Sequence, residues 1–361
     1  MYVIYTLRQH TSVHHTPHYT DMTPKKSGRT PSPANLRLTR FTAAAIALIS
    51  SGVFAQSSDA DFRALLKERK STEAEALARD RITRQPQDDM ALWYLTRITA
   101  GDAQKPDELI PKVEQCIKAL PQSAKCQNAL GTLYGAAALS SGLVDGIKYA
   151  SRIKERFEKA VELDPPFFDA RRDLNQFYLQ APGIAGGSAR KAYANADSYA
   201  KINANLGALL RAEVHIYEKE FDQAENILNN VKADTDERVT EALPQIWTSL
   251  DSSIIAAEQP GKAMKLFERL SAVDMNNATF FFGLGRAQLE AKLVKAAIIS
   301  FERALKLDSK ITLHYRLGIA YKTKGDKPKA IAAFKQFLTY QTQGKAVDDA
   351  KKRLETLASA G

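Results

Sequence analysis

Side chains that carry metal or nucleophilic chemistry are scarce in this sequence. Its 361 residues hold two cysteines and six histidines. Four of the histidines, His10, His14, His15 and His18, lie at the very start, which leaves His215 and His314 for everything that follows. No third ligand stands near Cys116 or Cys126, so neither a zinc site nor a Cys/His nucleophile can be assembled from them. H-E-x-x-H, G-x-S-x-G and the Gly-Lys-Ser/Thr end of a phosphate loop are all missing. The sequence therefore nominates no catalytic residue, no metal and no cofactor. Alternating Val/Ile/Thr runs bounded by turns hardly occur, which argues against a β-sheet protein. The apolar run at residues 41–54 (FTAAAIALISSGVF) contains Thr and two Ser. It falls short of the about 20 strongly apolar residues that a membrane span needs.

That short run has another use. Arg37 and Arg40 precede it, and Val53-Phe54-Ala55 sets compact residues before a cut at Gln56. Basic, apolar and small-residue regions in that order are the layout of a secretory signal peptide. Residues 1–55 are accordingly read as an N-terminal extension plus signal. Translation starts at Met22, with Lys25, Lys26 and Arg29 as the basic region, and cleavage follows Ala55. On this reading the histidine tract is upstream extension, not a metal site. The formal charge of +10 also shrinks, because residues 56–361 hold 45 Lys/Arg against 40 Asp/Glu, or +5. A dispersed charge of that size makes no case for nucleic acid. The expected location is periplasmic or secreted, with no integral span in the mature chain. Such compartments permit disulfides. Cys116 falls near the end of one expected helix and Cys126 near the start of the next, across Pro121. They are either bridged or two buried thiols acting as small hydrophobes.

What the sequence has in quantity is Ala, Leu, Lys, Glu and Arg at helical spacing, which predicts an all-α chain. A period runs through it. Phe281, Leu284 and Gly285 precede Ala297, Phe301 and Ala304; then come Leu317, Gly318, Tyr321 and Gly325, followed by Ala330 and Phe334. Gly285 to Gly318 and Phe301 to Phe334 are both 33 residues apart. Weaker copies extend backwards through Leu174 and Tyr178, through Leu130, Gly131, Tyr134 and Phe157, and to Leu92 and Leu95, with Pro86 closing a first helix pair. Small residues let two helices approach, while Leu, Tyr and Phe fill the gaps. One such pair cannot bury its apolar face, so the pairs must stack.

This pattern resembles the tetratricopeptide repeat family over about residues 58–359. The resemblance implies a right-handed superhelix of antiparallel helix pairs. Two repeats, at 276–342, match well. Those at 57–275 are degenerate, with Thr96, Asn175 and Asp251 where Gly or Ala is expected and a long connection over residues 135–152. Residues 345–360 form a capping helix, apolar on the face of Val347, Ala350, Leu354 and Leu357. The family's first helices line a concave groove that binds a peptide or protein segment. Carried over, that groove takes Trp93, Arg97, Asn128, Arg172, Gln176, Phe282, Arg286, Tyr315 and Lys322. Aromatic and Arg side chains are the pair enriched at binding hot spots.

The expected function is an exported, non-enzymatic scaffold. A cell-envelope assembly factor acting by self-association is the alternative. A third reading uses the Gly-rich loop 183–188 as an anion or small-ligand site ahead of a helix N-terminus. Against it, Ser188 reads as an N-cap, with the glycines supplying positive φ.

Overall fold

A computed structural model describes residues 59–359 apart from 69, 101–104, 141–142, 233–235, 310 and 342–343. The signal segment and its cleavage point lie outside the described residues. The helices are α1 (Asp59–Lys67), α2 (Ser71–Arg84), α3 (Asp89–Thr99), α4 (Lys105–Ala119), α5 (Ala124–Ser140) and α6 (Leu143–Leu163). They continue as α7 (Phe168–Gln180), α8 (Ala189–Ala200), α9 (Ala204–Tyr217), α10 (Phe221–Asn230), α11 (Glu237–Ala256) and α12 (Pro260–Val273). The last are α13 (Ala278–Glu290), α14 (Val294–Leu307), α15 (His314–Lys324), α16 (Lys327–Tyr340) and α17 (Lys345–Ser359). Among the described residues there is no strand. Odd and even helices pair into eight units, and α17 caps the last by burying Val347 and Ala350.

Close approach inside a unit depends on glycine. A Cβ built on Gly131, Gly285 or Gly318 would lie 2.6, 2.6 or 2.7 Å from the ring of Phe157, Phe301 or Phe334. The ring lies on the bare backbone of its partner helix, so the Gly and the Phe are one packing device. A second device joins a unit to the one before it. The Tyr134, Tyr178 and Tyr321 hydroxyls donate to Glu114, Glu158 and Glu302 on the preceding even helix, at 3.2, 2.8 and 2.6 Å. Helix starts are capped where the sequence offers a short polar side chain. Asp88, Ser188, Asn203, Asp236, Asn277 and Asp326 each accept from a backbone N–H of the first turn.

Residues 135–152 depart from the expected long connection. The extra residues lengthen α5 and α6, with Gly135 inside α5. Once the apolar face of a helix can extend along its neighbour, added turns bury surface that a loop would expose. At the α4–α5 corner, Cys116 and Cys126 are joined as a disulfide with their Cα atoms 6.2 Å apart.

Odd helices pack not only within their units but also on one another, α3 on α5, α9 on α11 and α11 on α13, whereas successive even helices have no comparable packing. The array therefore curves with the odd helices inside and the even helices on the convex face. This curvature sets the site.

Candidate functional site

Along the inner wall, units one to six direct their polar side chains at each other. Trp93, only 4% exposed, donates its indole N–H to Asn128 Oδ1 at 2.7 Å. Asn128 Nδ2 donates to Asp173 Oδ2 at 3.0 Å. Arg97 closes the circuit with Nη1 at 3.1 Å from Asp173 and Nη2 at 3.2 Å from Asp169. Its guanidinium stands 5.0 Å from the centre of the Trp93 ring. Three helices, α3, α5 and α7, are tied by this network.

A second tie follows. Buried Arg172 on α7 donates from Nε to Glu213 Oε1 at 2.8 Å and from Nη1 to Gln245 Oε1 at 3.0 Å, spanning α9 and α11. Arg63 on α1 reaches Glu241 on α11 at 3.1 Å. The first and sixth units thus meet across the concavity. Half-buried Gln176 accepts from Gln180 Nε2 at 2.7 Å on its own helix.

Units seven and eight are arranged differently. Phe282 is half-buried, with the Arg286 guanidinium 5.7 Å from its ring centre. Arg286 Nη1 donates to Ser252 Oγ at 3.0 Å and lies 3.1 Å from Asp251 Oδ2, off the hydrogen-bonding direction. Arg316 on α15 is 3.5 Å from Glu290 Oε1. Half-buried Tyr315 donates to Asp349 Oδ2 of α17 at 2.8 Å, and Arg353 holds the same carboxylate. Burial pushes the pKa of Asp349 up, but the hydrogen bonds from Arg353 and Tyr315 and then the charges of Arg353 and half-buried Lys322 bring it below its ordinary value.

The structure thus divides the nine groove residues. Trp93, Arg97, Asn128 and Arg172 are committed to internal partners, and Gln176 is half-buried beside them. Phe282, Arg286, Tyr315 and Lys322 form a second group on α13 and α15. Asp169, Asp173, Glu213, Gln245, Ser252, Arg316 and the Arg63–Glu241 pair escaped the sequence reading. Asp251 did carry a signal, being a carboxylate at a small-residue position. It is fully buried. Burial pushes its pKa up to about 7, against the pull of Arg286 and Arg316 and with a push from Glu290.

The Gly-rich loop does not make an anion cradle. The amides of Ala185, Gly186, Gly187 and Ser188 donate to the carbonyls of Pro182, Gly183, Pro182 and Tyr178. Ser188 caps α8 by accepting from Lys191 N at 3.3 Å. Gly186 alone of the loop glycines has positive φ, +98°. Gly187 is required for another reason: a Cβ there would sit 1.8 Å from Ala181 O. An open depression of about 540 Å³ beside the loop is lined by Ser151, Lys154, Glu155, Glu158 and residues 183–186 of the loop. His215 Nδ1 lies 2.6 Å from Glu220 Oε2 and 3.2 Å from the Tyr193 hydroxyl; His314 Nδ1 lies 3.4 Å from the Tyr340 hydroxyl. Both are rim contacts between helices. Among the described residues no group of three His, Cys, Asp or Glu could hold a metal ion, and no helix is long and apolar enough to cross a membrane.

Comparison with known proteins agrees with this architecture. The sequence model of the tetratricopeptide repeat matches residues 311–343. The structure of yeast Tom70 superposes with a TM-score of 0.52 at 14% identity, covering 80% of this chain and 59% of that one. The Cut9–Hcn1 hetero-tetramer of the APC/C aligns at 18% identity and a TM-score of 0.45, covering 84% of this chain and 57% of that one. A tetratricopeptide repeat protein from Parabacteroides merdae gives 12%, 0.41, 74% and 96% in the same order. No curated protein matches in sequence. The chain has a helical-repeat fold, and its residues 311–343 match the tetratricopeptide repeat. It spans 57% of the Cut9–Hcn1 chain and 59% of Tom70.

Proposed function

We propose that this chain is an exported scaffold that holds an extended segment of another protein on the inner face of units seven and eight. Proteins built on this repeat generally act as non-enzymatic scaffolds for protein partners. The observation that carries the groove reading is the contrast along the inner wall. Trp93, Asn128 and Arg172 are buried and half-buried Arg97 is held by Asp169 and Asp173, whereas Phe282, Arg286, Tyr315, Arg316 and Lys322 are all half-buried. A preformed helical surface costs the receptor little ordering when a segment docks. Photocrosslinking separates this from other uses of the fold. A benzophenone side chain at position 282 should capture partner protein, and one at Ile299 on the convex side of α14 should not. Equal capture at both positions would overturn the groove.

Export rests on the signal-like segment and is supported by the Cys116–Cys126 disulfide, a bond that oxidising compartments maintain. Fractionation with N-terminal sequencing should recover a chain beginning at Gln56 outside the cytosol. A cytosolic chain retaining Met22 would refute it. Self-association has one observation in its favour: Val273 and Met275 at the α12–α13 corner and Ile299 on α14 are exposed apolar side chains. Light scattering over a concentration series would reveal a dimer if that patch were its interface.

A further inference from the structure

Arg286 is the residue on which the groove reading leans most, and Asp251 is placed to govern it. Asp251 stands on α11, 34 residues before Gly285, at the step where other units carry glycine. Its side chain is sealed from solvent. Neither carboxylate oxygen receives a hydrogen bond. The nearest cation, Arg286 Nη1 at 3.1 Å, directs its donor to Ser252 Oγ instead. The charged groups that act on it are Arg286 and Glu290 of α13 and Arg316 of α15. The other helices that meet α11, namely α1, α7, α9, α10 and α12, add none.

A sealed carboxylate without hydrogen bonds holds its charge poorly. Ionised, it offsets the charge of Arg286. Protonated, it leaves two guanidiniums on the inner wall with Glu290 as their remaining nearby carboxylate. Those guanidiniums already feel each other: burial first, then the like charge of Arg286, lowers the pKa of Arg316.

We propose that Asp251 is a proton-operated latch on Arg286, so that the inner face of units seven and eight takes a segment bearing carboxylate side chains more tightly once Asp251 is protonated. This rests on the reading of that face as the binding surface. The titration of Asp251 near pH 7 places the change between pH 6 and pH 8. The exchange consists of one proton taken from solvent onto a carboxylate oxygen.

A fluorescein-labelled hexaglutamate peptide is a suitable probe, because glutamate side chains titrate near about 4.3 and stay charged across that window. Anisotropy titrations at pH 6 and pH 8 on the wild type should show about tenfold tighter binding at pH 6. Asp251→Asn and Asp251→Ala should bind at both pH values as tightly as the wild type does at pH 6; circular dichroism would confirm that they fold. Arg286→Ala should bind weakly at both. A pH response of the same size in the wild type and the Asp251 variants would overturn the latch, as would no response in the wild type. Loss of binding in Arg286→Ala without any pH response removes the latch and keeps the groove. Binding unchanged in Arg286→Ala removes both. No binding by any form also overturns the latch, and leaves the groove to the crosslink at position 282.

Discussion

Units one to six and units seven and eight are built on the same helix pair but use their inner faces in opposite ways. In the first group polar side chains join neighbouring units, as Trp93 does with Asn128, and also reach partners two or more units away, as Arg97 does with Asp173 and Arg63 with Glu241. In the second, Gly285 and Gly318 receive Phe301 and Phe334 closely, and most inner-face contacts stay between neighbouring units. Loss of the repeat signature is thus not loss of order. At the small-residue position of the fourth unit, Asn175 donates to Leu210 O at 3.2 Å and accepts from Asn195 at 3.3 Å. A hydrogen-bonded pair stands there instead of a glycine under a ring. One group has its inner face satisfied largely by the fold; the other keeps Phe282, Arg286, Tyr315 and Lys322 half-buried.

The most direct way to break that distinction is to truncate an aromatic from each group. Trp93→Ala should cost about 3–5 kcal/mol, the range for emptying a buried large side chain. It also strands the Asn128 carboxamide between α3 and α7. Phe282→Ala, at a half-buried position, should cost much less and act on partner capture. Urea denaturation followed by circular dichroism measures both. Similar losses for the two variants would mean that the inner wall is one continuous core, with no face reserved for a partner.

Asp251 allows a finer test, through pH. Its pKa in the fold is about 7 against an ordinary 3.8, so the folded chain binds this proton more tightly than the unfolded one. Between about pH 4 and pH 7 the unfolded carboxylate ionises while the folded one does not, so its destabilising contribution grows with pH and levels off above 7. Asp251→Asn lacks that contribution. The variant should therefore be more stable than the wild type by about 4 kcal/mol at pH 8, with the difference shrinking toward pH 5. A difference that does not change with pH would show that Asp251 is already ionised in the fold at pH 5.

Much of the fold was legible because packing within a unit is local. Gly285 and Phe301, or Gly318 and Phe334, lie within one helix pair, and their 33-residue recurrence needs no tertiary knowledge. Thr96, Asn175 and Asp251 were visible as departures for the same reason. The inner network was not legible. Residue pairs such as Arg63 and Glu241, or Arg172 and Gln245, are brought together by curvature accumulated over several units. That curvature depends on how each pair sits on the next, and no local pattern encodes it. Trp93, Asn128 and Arg172 occupy the same inner-facing position as Phe282, and Arg97 and Gln176 that of Arg286. Only the distant partners decide which of them stay open.

The turns inside the units sharpen the comparison at its smallest scale. Gly325, between α15 and α16, has φ +86°, a left-handed conformation that costs glycine nothing. In the three preceding units the same turn holds Lys292, Glu258 and Lys219, at φ +64°, +59° and +63°. An L side chain there costs about 1–2 kcal/mol before any compensation. Lys292 N donates to Leu289 O at 3.1 Å and Leu293 N to Gln288 O at 2.8 Å, bonds that survive loss of the side chain. Lys292→Gly should thus raise stability by about 0.5–1 kcal/mol even though glycine loosens the unfolded chain. Gly325→Lys should lower it by a similar amount. Opposite signs in urea midpoints would mean that unit seven differs from unit eight at this turn only by strain. Equal signs would mean that Lys292 makes a compensating contact through its side chain.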